Sequence, residues 1–166
     1  MNTDVVTTLR FTVYGRPQQR GSKQAVLIPK RGGGWIEKNG RPIVAAKDDN
    51  PKSKEWMATV SQVAGEYMRD CHPRIDGAVR LNVQFYFKRP NSHYRSGKNS
   101  HLLKADAPMF HVQTPDLAKL VRCYEDALTG IVWTDDKQVC FYGDIGKHWT
   151  EDSERAECVI EEIETL

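Results

Sequence analysis

"TPDLAKLVRCYEDALTGIVWTDDKQV", Thr114 to Val139, decides how the rest of this chain is read. Leu117, Leu120, Val121, Tyr124 and Leu128 recur at helical spacing and fall within one arc of roughly 100° on a helical projection. Residues 114–128 are therefore expected to form an amphipathic helix, with Asp116, Lys119, Arg122 and Asp126 gathered away from its apolar face. Behind it come a strand-like "GIVW" and then Asp135-Asp136, two adjacent carboxylates. Such a pair costs mutual repulsion and adds nothing to packing. A turn accounts for it, because Asp suits turns. So does a metal site. Mg²⁺ takes hard oxygen ligands, usually one or two carboxylates with waters and a phosphate, and Asp116 with Asp136 could supply that set. A cation there would neutralise a phosphate and help make hydroxide from water, while a nearby Lys or Arg stabilises the transition state.

Working outward, "TLRFTVYG" (8–15) alternates like a strand and stops at Gly15 and Pro17. "QAVLIPK" and "GWIEKNGRPIVAA" read as short strands turning at Asn39-Gly40. Asn50-Pro51 looks like a helix cap followed by an N1 proline. Beyond it Trp56, Met57, Val60, Val63, Ala64, Tyr67 and Met68 form a core stripe. "GAVRLNVQFYFKRP" alternates cleanly and is expected to be a long strand with one face buried. Residues 89–113 lack periodicity, and "KQVCFYGDIGKHW" and "ERAECVIEEI" read as strands. This order predicts a single α+β domain over 1–166, a mixed or antiparallel sheet with two helices packed on one face.

No apolar run reaches membrane-spanning length, and "MNTDVVTTLR" has neither a basic n-region nor an apolar h-region, so a cytoplasmic location is expected. Cys71, Cys123, Cys140 and Cys158 show no paired CxxC spacing, which argues against a zinc ribbon and fits buried thiols. The net charge of +2 hides an asymmetry: 19 Lys/Arg against 8 Asp/Glu in residues 1–105, and 5 against 14 in 106–166. A polyanion-binding surface around an acidic metal pocket has this distribution; so do two differently solvated faces.

The segment "PDLAKLVRCYEDALTGIVWTDDKQV" resembles the signature of RusA-like Holliday junction resolvases: a Pro-Asp-x-Asp-(Asn/Lys)-Leu helix start, an Asp-Ala-Leu, and a closing Asp-Asp-x-Gln-Val. "VYGRPQQRGSKQAVLIPK", "NPKSKEW" and "FYFKRP" resemble other parts of that family, so the likeness covers most of the chain. It implies a structure-specific endodeoxyribonuclease using Mg²⁺, or Mn²⁺, that cuts four-way and other branched DNA as a homodimer. It acts on no small-molecule substrate, and its genes tend to be carried by phage or prophage. By the same resemblance Asp116 and Asp136 are metal ligands, Asp135 and Asp126 are supporting or ligating acids, and Arg122 assists at the phosphate. Lys119 stands where the family has Asn or Lys, on the DNA side. One position departs: Ala118 replaces the second Asp of Pro-Asp-x-Asp, which raises the alternative of a junction-binding protein that no longer cuts.

Arg16, Arg20 and Lys23, with Lys30 and Arg31 nearby, read either as a solvated basic hairpin or, given the resemblance, as DNA contacts. Residues 89–113 carry Lys88, Arg89, Arg95, Lys98 and Lys104 in or beside them, a composition for a flexible basic lid over DNA or for a surface loop. His111 could approach a metal or phosphate; a locally bonded loop histidine is the commoner case.

Overall fold

The computed structural model describes residues 3–48, 50–71 and 73–165; the side chains at 3–6, 23, 24, 46–48, 70, 71, 164 and 165 fall outside that description. In chain order the elements are β1 (Thr3–Tyr14), β2 (Lys23–Leu27), β3 (Glu37–Lys38), β4 (Arg41–Pro42), β5 (Val44–Asp48), α1 (Lys52–Cys71), β6 (Ala78–Lys88), α2 (Leu117–Leu128), β7 (Val139–Thr150) and β8 (Arg155–Thr165).

Strict alternation in β6 places Val79, Leu81, Val83, Phe85 and Phe87 on the buried face and leaves Arg80, Asn82, Gln84, Tyr86 and Lys88 on the other. The main sheet runs β1-β8-β6-β7, with β1/β8 and β8/β6 antiparallel and β6/β7 parallel. That is the mixed sheet the sequence predicts. Both helices supply the apolar layer over it. From α1, Trp56, Val60, Ala64 and Met68 are buried; from α2, Leu120, Val121, Cys123, Tyr124, Ala127 and Leu128. Tyr124 meets Phe85 edge-on, and Phe11 of β1 meets Tyr67 of α1. Ser61 donates to the Ala127 carbonyl at 2.8 Å, tying the helices side by side.

The local signals hold where they rest on backbone chemistry. Asn50 accepts the Lys52 amide through Oδ1 at 3.2 Å and starts α1. Asn39 and Gly40 both take positive φ, 52° and 70°, which a two-residue hairpin turn between β3 and β4 requires. β2 and β5 pair as a separate ribbon.

"GIVW" is corrected: it is not a strand. Gly130 adopts φ 84° just past α2, its amide bonds the Trp133 carbonyl at 2.7 Å, and Val132 and Trp133 fold under the helix end, fully buried. The indole N–H donates to Thr129 Oγ1 at 3.1 Å. A four-residue apolar run has no readable period, and here burial as a knot satisfies it as well as a strand would. Lys137 and Gln138 likewise belong to a short 3-10 turn (Asp136–Gln138), and β7 starts at Val139.

Residues 89–113 contain two 3-10 turns, Asn91–His93 and Gly97–Asn99, and an antiparallel bridge between Tyr94 and Leu103. Among the described residues no helix is long and apolar enough to cross a membrane.

Candidate active site

Asp116 sits at the N-cap of α2, yet its carboxylate caps nothing. Its own amide donates to Gln19 Oε1 at 2.6 Å, and the side chain is 61% exposed, 3.7 Å from Lys119 Nζ. An N-cap carboxylate normally accepts an N2 or N3 amide; this one instead turns Oδ2 toward Lys119. Lys119 also donates to Ser22 Oγ at 3.2 Å, and the Arg20 amide bonds the Lys119 carbonyl at 3.0 Å. The N-terminal basic segment is thereby laid along α2.

At the other end of the helix, Asp126 is ion-paired with Arg20 at 2.8 Å. These two, with Met57, Thr129, Thr134, Asp135 and Asp136, line an open cleft of about 500 Å³. Asp116 and Asp126 are ten residues apart, about 15 Å of helix rise, so they serve opposite ends of one exposed helix face.

The Asp-Asp pair divides its labour. Asp135 Oδ1 accepts the Lys137 amide at 3.1 Å, and Gln138 Oε1 accepts the amides of Thr134 (2.8 Å) and Asp135 (3.1 Å), a reciprocal capping box. Gln138 Nε2 in turn donates to the carbonyls of Ile75 (3.0 Å) and Gly77 (3.2 Å), anchoring the turn to the chain leading into β6. The Lys137 amide holds the Asp135 carboxyl below its usual range. Asp136 is left exposed, and among the described residues no Lys or Arg stands within ion-pair distance of it.

Glu125 completes this end. Tyr142, from the exposed side of β7, donates its hydroxyl toward both Glu125 carboxylate oxygens at 2.9 Å. Partial burial raises the Glu125 pKa, Asp136 and Asp126 push the same way, and the Tyr142 hydroxyl and Arg122 oppose. Burial and the Glu125 charge push the Tyr142 phenol up to about 12. Arg122 is exposed on the α2 face that also carries Ala118 and Glu125. Ala118 is exposed and brings no oxygen.

Of the basic candidates, Arg16 is 66% exposed and 3.9 Å from Glu154, away from the cleft. The Lys23 side chain lies outside the described residues. Sequence reading missed Tyr142, Gln138 and Gln19 as parts of the site; only the Gln of the Asp-Asp-x-Gln-Val run gave a local hint, through its capping-box spacing.

Among the described residues, no three or more His, Cys, Asp or Glu side chains cluster closely enough to hold a metal. A divalent cation of the Mg²⁺ type needs only one or two carboxylates. Asp126, Thr129, Thr134, Asp135 and Asp136 give the cleft oxygen donors, with no His or Cys in its lining, so the donor set fits Mg²⁺ or Mn²⁺ and not Zn²⁺.

Residues 36–161, about three quarters of the chain, match the family model described as "Endodeoxyribonuclease RusA". The match covers α1, β6, both ends of α2 and the Asp-Asp turn, and begins beyond Arg16, Arg20 and Lys23. The chain is also similar to the uncharacterized protein YqaN of Bacillus subtilis (strain 168), 28% identical over 156 residues, covering 93% of this chain and 96% of YqaN. The chain belongs to the RusA endodeoxyribonuclease family.

Proposed function

We propose that this RusA-family chain is a divalent-metal-dependent endonuclease that resolves four-way and related branched DNA in recombination and repair, as a homodimer with one site per protomer. The observation that carries the reading is the Asp136 carboxylate, exposed and without a cationic partner among the described residues, on a turn braced by Asp135 and Gln138. Asp135 supports this ligand and Asp126 lines the same cleft, whereas Asp116 is exposed at the opposite end of α2, where a cation it held would be a separate one. A bound Mg²⁺ or Mn²⁺ would supply charge neutralisation and a more acidic water. Arg122 would bind a non-bridging oxygen of the scissile phosphate and stabilise its developing charge. Lys119, Arg16, Arg20 and Lys23 would bind strand phosphates, which fix register without reading sequence. Asp126 orients Arg20 through their ion pair. No nucleophilic side chain is needed, since water attacks. A cytoplasmic, phage- or prophage-derived protein fits this role.

The test is cleavage of a synthetic four-way junction in Mg²⁺, against EDTA and against Asp136→Ala. Paired nicks that need both the metal and Asp136 are expected; cutting that survives either loss sinks the reading.

Ala118 favours a second reading, a junction-binding protein of the same fold that does not cut. Tight retention of junction DNA without nicking at any Mg²⁺ or Mn²⁺ concentration would select it.

A further inference from the structure

Just before the Asp116 cap the chain lines a separate open pocket of about 360 Å³, formed among others by Arg16, Lys88, Arg89, His111, Gln113 and Trp149. That is the size of a small ligand cleft, room for about a dozen waters at ~30 Å³ each. Its wall holds an unusual histidine. His111 is 5% exposed, wedged between Phe87 (ring centroids 4.6 Å) and Trp149 (4.1 Å), and its Nδ1 is buried with no hydrogen-bond partner among the described residues. That nitrogen has lost its water, and the backbone of His111 and Gln113 near the ring offsets only part of the cost.

Positive charge surrounds it. Arg89 donates to the Pro108 carbonyl at 2.9 Å and lies 5.6 Å over the Trp149 ring. Lys147 donates to the carbonyls of Gln113 (2.6 Å) and Pro115 (2.7 Å), and Lys88 Nζ to the Glu151 carbonyl. All three cations are held by neutral carbonyls, so their charge stays available. Glu154 lies 3.9 Å from Arg16 and accepts the Lys88 amide, and Glu151 and Asp152 line the adjoining pocket with the same two cations. The proximity of Lys147 and Arg16 adds to burial in keeping His111 neutral.

The ligand class follows from what is left over. His111 stacks on Trp149, Arg89 lies over the same indole, and His93 meets it edge-on, which leaves little ring face for a nucleobase. N–H donors remain, and among the described residues Lys88, Arg89 and Lys147 have no carboxylate within ion-pair distance; these groups recognise an oxyanion. We propose that this pocket is a second phosphate subsite, taking a phosphodiester of the DNA strand beside Asp116. Arg16, Lys88 and Arg89 supply the charge, and His111, in its Nδ1–H tautomer, donates from the pocket wall. The proposal rests on the nuclease reading above and adds a grip that holds the strand on the N-cap side of the site.

The experiment is binding of a labelled four-way junction in EDTA, followed by fluorescence anisotropy across a salt series. The paired substitution Lys88→Gln with Arg89→Gln should lower the log–log salt slope by about 0.9 for each phosphate that is no longer neutralised, and weaken junction and plain duplex alike. His111→Phe keeps the aromatic stack and removes the donor; it should weaken binding at unchanged slope. Thermal melts establish that each variant is folded. In wild-type protein, ¹⁵N NMR should show the His111 ring nitrogens shifting as DNA is added. A shift with inorganic phosphate and none with DNA would make the ligand a free anion and overturn the proposal. An unchanged slope for the paired variant, in folded protein that still cuts junctions, would overturn the subsite and leave the nuclease reading intact. Failure of wild-type protein to retain branched DNA at low salt would overturn both.

Discussion

Gln138→Ala should loosen the Asp-Asp turn and melt the protein early. The amide of Gln138 makes four hydrogen bonds: it accepts from Thr134 and Asp135 and donates to Ile75 and Gly77, at 2.8, 3.1, 3.0 and 3.2 Å. The one to Thr134 is exposed and water replaces it; the other three are partly buried. At about 1 kcal/mol net for each of those, with some recovery by water, the loss is roughly 2–3 kcal/mol. For a chain of this length each kcal/mol moves Tm by about 2–4 °C, so a fall of roughly 5–10 °C is expected. Circular-dichroism melts at fixed protein concentration measure it. Junction cleavage should fall further than the loss of folded protein explains, because Asp136 rides on the turn. Gln138→Glu should be no milder, since it turns a carboxylate toward two carbonyl oxygens. A Gln138→Ala melt that coincides with the wild type would refute the claim that this side chain braces the acidic turn.

Asp136→Ala should leave Tm within about 1–2 °C of wild type, as for a typical exposed substitution, while junction cutting drops by about 10²-fold or more; a large stability loss would show that the residue is architectural. Ala118→Asp adds a carboxylate to the exposed face shared with Arg122, and nicking assays in Mg²⁺ should show faster cutting; no gain would mean that the existing acids suffice. Tyr142→Phe removes a hydrogen bond that favours ionised Glu125, so carboxyl ¹³C titration should find the Glu125 pKa higher still. Because that pKa is already raised in the folded state, Glu125 adds stability below its unfolded pKa and loses it as pH climbs through the folded one. Tyr142→Phe should also delete the phenolate absorbance step near 12. Leu120→Ala hollows the fully buried side of α2 and should cost about 2–5 kcal/mol in denaturant melts.

The elements that sequence reading recovered are those whose cause lies within a few residues. The unbroken alternation of β6, the apolar arc of α2, the Asn50 cap and the Asn39-Gly40 turn each state their structure locally. "GIVW" misled because four apolar residues suit a buried knot or a strand equally, and Gly130 alone hinted at the knot. Asp116 and Asp136 stood out by motif spacing. Tyr142 on Glu125, Arg20 on Asp126 and His111 between Phe87 and Trp149 did not, since each of these pairings joins distant segments that only the folded sheet brings together. A histidine in an aperiodic loop carries no local mark of burial.

Among the described residues β1 has one neighbour in the main sheet, β8, and β8 alone links it to β6. On the ribosome, about 140 residues separate the end of β1 from the start of its partner. At 5–20 residues per second the first strand therefore waits roughly 7–30 seconds with both edges open. During that interval α1, α2 and the parallel β6/β7 pair can collapse, but Leu9, Phe11 and Val13 have no strand to hold them in register. The last strand thus works as the zipper pull of the molecule, and nascent chains stalled before Arg155 should bind chaperones and be cut by protease within β1.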